Sequence, residues 1–88
     1  MRITRTGQFK KDFKRAKRQG RNVDDLRTVI EKLFKGEQLE ARHEDHKLSG
    51  RWRKYRECHI NPDWLLIYSI RTNELILERM GSHSELFQ

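Results

Sequence analysis

The stretch CHINPDWLLIYSI, residues 58–70, carries two signals back to back. Asn61-Pro62-Asp63 is turn chemistry, because proline fixes its own φ and lacks a donor while Asn and Asp bond to nearby backbone. Directly after it, Trp64 to Ile70 is apolar at successive positions instead of every second one, the pattern of a strand covered on both faces. Two antiparallel strands meeting at a tight turn are expected, with the second of them central in its sheet. Arg71-Thr72-Asn73 turns the chain once more. Leu75 to Met80 then predicts a further strand, with Leu75 and Leu77 on one face and Ile76 and Met80 on the other. On the N-terminal side, Trp52 to Ile60 predicts the strand that leads into the turn.

The first half has a different period. Met1 to Arg5 reads as a short strand anchored by Ile3. Phe9, Phe13 and Ala16 recur at i, i+4 and i+7, one stripe of an amphipathic helix whose other faces are Lys and Arg. Gly20 is its expected stop. Asn22 suits an N-cap, and Asp24 and Asp25 complement the positive end of a second helix. That helix carries Val23, Leu26, Ile30, Leu33 and Phe34 and ends near Gly36. Two helices so closely joined form an antiparallel hairpin. Residues 37–50 are polar and irregular. The order β-α-α-β-β-β predicts an α+β fold: a short N-terminal strand and a helical hairpin packed on one face of a largely antiparallel sheet, the other face open. At 88 residues, the whole chain 1–88 is expected to be a single domain.

Charge is unevenly placed. Residues 1–20 hold eight Lys and Arg against one Asp, and the remaining residues hold twelve basic against twelve acidic side chains, so the first quarter carries the entire net charge of +7. Lys10, Lys11, Lys14, Arg15, Lys17 and Arg18 are the expected contacts to a polyanion, nucleic acid before membrane. The plainer alternative is a solvated basic helix. Cys58 is the single cysteine, so no internal disulfide can form, which fits a reducing cytoplasm. The longest apolar run, residues 64–68, is far too short to span a bilayer, and no secretory signal is expected.

Four groups able to move protons lie in the second half: His46, His59, Asp63 and His83. The strand pattern puts His59 and Asp63 on either side of a tight turn and His83 just beyond the last strand, so all three are expected at one end of the sheet. RNA cleavage by its own 2′-hydroxyl needs a base for that proton, an acid for the leaving 5′-oxygen, and cations for the phosphate charge. Imidazole serves as acid or base near neutrality. Arg56 and Arg79 are candidates for the charge role. Trp64, Tyr55 and Phe87 are candidates to stack on splayed bases. Each has a plain alternative: surface or packing histidines, a turn-stabilising Asp63, and core aromatics, which for Tyr68 is the preferred reading. A zinc site from His46, Cys58, His59 and His83 is disfavoured, because paired ligand spacing is lacking and adjacent strand residues point to opposite faces. No metal or other cofactor is expected.

Residues 45–50, DHKLSG, together with residues 55–68, YRECHINPDWLLIY, and the ending ERMGSHSELF, residues 78–87, resemble the signature of YafQ-type toxins of the RelE/ParE superfamily. Glu57 stands where some members have Asp, and Cys58 where they have other small residues. The resemblance implies a RelE-like fold and a type II toxin: a metal-independent endoribonuclease that cuts mRNA in the ribosomal A site and is neutralised by a cognate antitoxin. It places the family's functional positions on His46, His59, Asp63, Trp64, Arg79, His83 and Phe87. Asp63 or His46 is the expected base, His83 the acid, and His59 an orienting group. His43 has no counterpart in the motif and is expected to be dispensable. Gly81 is expected to turn the chain sharply so that His83 enters the site. Two rival functions remain: a same-fold toxin that inhibits gyrase by binding, and a basic RNA-binding module with incidental histidines.

Overall fold

The computed structural model describes residues 1–87 and places the apolar run at the middle of a five-stranded sheet. The elements are β1 (Arg2–Arg5), α1 (Gly7–Arg18), α2 (Val23–Phe34), β2 (His46–Lys47), β3 (Arg56–Asn61), β4 (Trp64–Arg71), β5 (Glu74–Gly81) and α3 (His83–Phe87). The sheet order is β1-β5-β4-β3-β2, with β1 parallel to β5 and every other pair antiparallel.

One face is the core. Trp64, Leu66 and Tyr68 of β4 join Cys58 and Ile60 of β3 and Leu75, Leu77 and Met80 of β5, and α1 and α2 cover them with Phe9, Ala16, Leu26, Val29 and Leu33. The helices start where their caps dictate. Thr6 Oγ1 accepts from Phe9 N at the head of α1 and donates to the Glu78 carbonyl, tying the helix to β5. Asn22 accepts from Asp24 N and Asp25 N at the head of α2, as its position predicts.

Three expectations change. Trp52 is not in a strand: Gly50–Trp52 form a 3₁₀ turn and β3 starts only at Arg56. Gly50 opens that turn at φ +64°, a conformation that alternation of apolar residues cannot signal. Met80 packs in the core beside Leu77 and Leu75, not with Ile76, because a register shift opposite Ile67 and Tyr68 bulges Glu78 out and reverses the alternation beyond it. The second face is only partly open. Leu65 and Ile67 are buried although they lie opposite the core residues of β4, and the chain around Trp52 and Tyr55, together with Leu86 of α3, shelters that side.

Cys58 has no exposed surface, and burial pushes its thiol up to about 12. Thiolate is the reactive form, so alkylation of the native protein at pH 8 should be slow and become fast only in denaturant. Rapid labelling without unfolding, read by mass spectrometry, would contradict this burial.

Candidate active site

Strand register lines up the candidate residues on the second face. His46 of β2 pairs with Glu57 of β3, Glu57 with Ile67 of β4, and Ile67 with Arg79 of β5. One step along, His59 pairs with Leu65 and Leu65 with Gly81. Two neighbouring strand spacings separate His59 from Gly81, about 10 Å between Cα positions. His83 follows as the first residue of α3.

Glu57 is the hub of the β2–β3 end. Its side chain is 7% exposed, and Oε1 lies 3.7 Å from His46 Nε2 and 3.8 Å from His59 Nε2. The other nitrogen of His46, Nδ1, lies 2.6 Å from the Glu44 carbonyl. A carbonyl can only accept, so Nδ1 carries the proton and Nε2 is the nitrogen left for acid–base work. His59 Nδ1 lies 3.8 Å from Glu44 Oε2. Glu57 was not singled out from the sequence, although its position two residues before His59 puts it on the same strand face.

His43, expected to be dispensable, lies inside the fold. It is buried, and its Nδ1 lies 2.6 Å from the His59 carbonyl, so it holds the backbone that presents His59.

The β5 end is organised by Asp12, the single acidic residue of the basic first quarter. Its carboxylate has no exposed surface. It accepts from Arg79 Nε at 3.2 Å, Arg79 Nη2 at 3.3 Å, Met80 N at 3.0 Å and Gln8 Nε2 at 3.0 Å. Arg79 is thereby held side-on, with Nη1 unpartnered among the described residues. Arg15 donates to the Met80 carbonyl and pairs with Asp12 and Glu85. The Ser82 amide holds the Glu85 carboxyl below its usual range, with help from Gln19 and Arg15. Gly81 is not needed for a turn, since it has no left-handed φ; a Cβ there would sit 2.8 Å from Arg15 Nη2, so that side chain would have to shift.

Asp63 and His83 meet directly, Asp63 Oδ1 accepting from His83 N at 3.2 Å. From His83 a line of rings runs outward. Phe87 lies 5.1 Å from it, Trp52 lies 6.5 Å edge-on to Phe87, and Tyr55 lies 5.8 Å from Trp52.

Other sequence candidates fall elsewhere. Trp64 is 1% exposed within the core, with the Arg21 guanidinium 5.5 Å from its ring, so it has no free face for a base. Trp52, which no periodicity marks, is the exposed tryptophan beside the site. Arg56 shares the core-face parity of Cys58. Its Nε donates to Tyr68 Oη at 3.3 Å and lies 3.4 Å from Asp45 Oδ1, bonds that raise its affinity for its proton. It therefore anchors the loop before β2 and does not face Glu57. Of the basic residues of α1, Arg15 turns inward, while Lys10, Lys11, Lys14, Lys17 and Arg18 are exposed.

The family profile described as the bacterial toxin of type II toxin–antitoxin systems, YafQ, matches residues 1–88. The chain belongs to the YafQ family of type II toxins. The mRNA interferase toxin YafQ of Escherichia coli K12 is 37% identical over 86 residues, covering 97% of this chain and 94% of that protein. The fold agrees as well. A copper-bound mutant toxin from Helicobacter pylori matches at TM-score 0.96 and 44% identity over 99% of both chains. The toxin in the E. coli DinJ–YafQ complex matches at TM-score 0.92 and 37% identity over 100% of both. The α+β, RelE-like architecture expected from the sequence is thus the family's own. Although the H. pylori protein carries copper, no three His, Cys, Asp or Glu side chains among this chain's described residues are grouped to hold an ion.

Proposed function

We propose that this toxin is an mRNA interferase that cuts mRNA in the ribosomal A site through attack of the 2′-hydroxyl on the adjacent phosphate, and that a cognate antitoxin neutralises it. The observation that carries the reading is the Glu57 carboxylate set between His46 and His59, in register with Arg79 on one sheet face. The E. coli relative's name and the DinJ–YafQ complexes support the activity and the antitoxin.

His46 Nε2 takes the 2′-hydroxyl proton, since Nδ1 is committed to the Glu44 carbonyl. Asp63 is the weaker choice of base because one of its oxygens already holds the α3 amide. His59, steadied by Glu57, orients the hydroxyl. Arg79 offers Nη1 to the phosphate as negative charge builds on it, and His83 protonates the leaving 5′-oxygen. Phe87 forms the wall beside His83. The site acts in the cytoplasm, where ribosomes are, and no helix among the described residues is long and apolar enough to cross a membrane.

Mapping mRNA 5′ ends after inducing the toxin without its antitoxin tests the reaction. Cleavage in the A site should fall in frame, and attack by the 2′-hydroxyl leaves a 5′-hydroxyl and a 2′,3′-cyclic or 3′-phosphate. A 5′-phosphate would mean attack by water and would overturn the mechanism.

The ribosome is approached through α1. Lys11, Lys14 and Lys17, all changed to Glu, should weaken ribosome binding and flatten its salt dependence by about one unit of slope for each phosphate no longer neutralised. Arg15 must stay, because it ties α1 to Met80 and Glu85. Unchanged affinity at moderate salt would remove this surface from the interface.

A further inference from the structure

Beside Arg79 the second face hollows into a cavity of about 270 Å³ lined by Trp52, Tyr55 and Ile67 and by the polar side chains of Gln8, Glu78 and Arg79. We propose that this cavity is a nucleobase subsite, which takes the base of a nucleotide flanking the cleaved phosphate and favours a base that presents an amino group. The inference rests on the interferase reading and goes beyond it to the choice of sequence.

At about 270 Å³ the cavity lies just below the range of about 300 to 1,000 Å³ typical of drug-sized ligands and has room for a single ring system. Its walls suit a base, because half-exposed aromatic rings offer faces on which any base can stack. Trp52 is 38% exposed and is braced by Tyr55 at 5.8 Å. Continuity with the reacting atoms fixes which base it takes. Arg79 lines both the cavity and the catalytic row, and the rings of His83, Phe87, Trp52 and Tyr55 run from the proposed acid into the cavity wall.

The polar lining supplies the preference. Gln8 donates from Nε2 to Asp12, which leaves its carbonyl oxygen unpartnered among the described residues. Glu78 accepts from Ser69 Oγ through one carboxylate oxygen, and the other has no donor among the described residues. Two unsatisfied acceptors pair with the exocyclic amines of adenine, cytosine or guanine. Uracil has a single donor, N3–H, set between two carbonyls, so one of the two protein acceptors would face a carbonyl, and an unpaired acceptor costs affinity.

Single-turnover cleavage on ribosomes programmed with each base at each codon position tests the subsite. At one position uracil should lower the efficiency of the parent chain at least about tenfold, the order that one well-made base contact supplies. Glu78→Gln, which adds a donor, should erase that penalty. Trp52→Ala should raise the half-saturating toxin concentration roughly tenfold, the value of one stacked base, with the rate at saturation kept and Trp52→Phe restoring binding. Thermal melts of the variants separate these effects from unfolding. Equal cutting of all four bases at every position, or a Trp52→Ala defect confined to the saturating rate, overturns the subsite and leaves the nuclease reading intact. A parent chain that cuts no codon overturns both.

Discussion

His46→Gln and His83→Gln should each slow single-turnover cleavage of a programmed ribosome by about 10² to 10⁴, the usual contribution of a general acid or base. The double variant should lose little more than the worse single one, because a proton relay that lacks one member has already failed. Neither change removes core packing. Both rings are exposed, and the hydrogen bond that seats α3 uses the backbone amide of His83. Melting temperatures should therefore stay near that of the parent chain. If both variants cut at parental rates, the enzyme reading fails and a toxin that acts by binding becomes the better account. His43→Gln is no neutral control, since its ring supports the His59 carbonyl from within the fold. It should lower both the melting temperature and the rate.

Asp63→Asn separates two roles that geometry ties together. The amide keeps an oxygen to accept from His83 N but cannot take a proton. If Asp63 only seats the tail, Asn should cost little, while Ala, which frees the first turn of α3, should cost much more. If Asp63 is itself the base, both should fall as far as His83→Gln does.

The architecture was legible wherever periodicity is the signal. The apolar run after Asn61-Pro62-Asp63 marked the central strand, and Phe9, Phe13 and Ala16 marked the inner stripe of α1, which the core then used. Alternation misled where the backbone departs from its ideal repeat. The bulge at Glu78 carries Met80 to the core side, and the left-handed Gly50 lifts Trp52 out of the strand and over the sheet. The motif residues around the turn and the tail could be found because they are local in sequence. Their partners could not. Asp12 reaches Arg79 across 67 positions, and Glu57 gains its meaning only when β2 lies alongside β3. Trp64 was misassigned because an aromatic residue beside a catalytic turn looks the same in sequence whether it faces the substrate or the helices.

Asp12→Ala should be the most damaging change outside the proposed catalytic row, in stability and in rate together. Removing one member of a buried ionic pair typically costs about 3–5 kcal/mol, because the groups left behind lose a partner they cannot replace. Here those groups are the buried Met80 amide, the Nε–Nη2 edge of the Arg79 guanidinium and the Gln8 amide. Arg79 is a third exposed and can turn toward water, which puts the expected loss at the lower end of that range. For a domain of this size, each kcal/mol lowers the melting temperature by about 4–8 °C, so a fall on the order of 15 °C is expected. Asn is no conservative substitute, since its amino group would face donors from Arg79 and Gln8. The two residues should be coupled. In a double-mutant cycle with Arg79→Gln, the interaction term should lie within the roughly 0.5–3 kcal/mol found for residues in one network. Rate is the decisive readout. Assayed well below its melting point, Asp12→Ala should still cut slowly, because an unclamped guanidinium no longer holds Nη1 toward the phosphate, and positioning of this kind is worth several kcal/mol of barrier. A variant that melts within a degree or two of the parent, or that is unstable yet cuts at the parental rate when folded, would reduce Asp12 to an ordinary buried acid and leave Arg79 to orient itself.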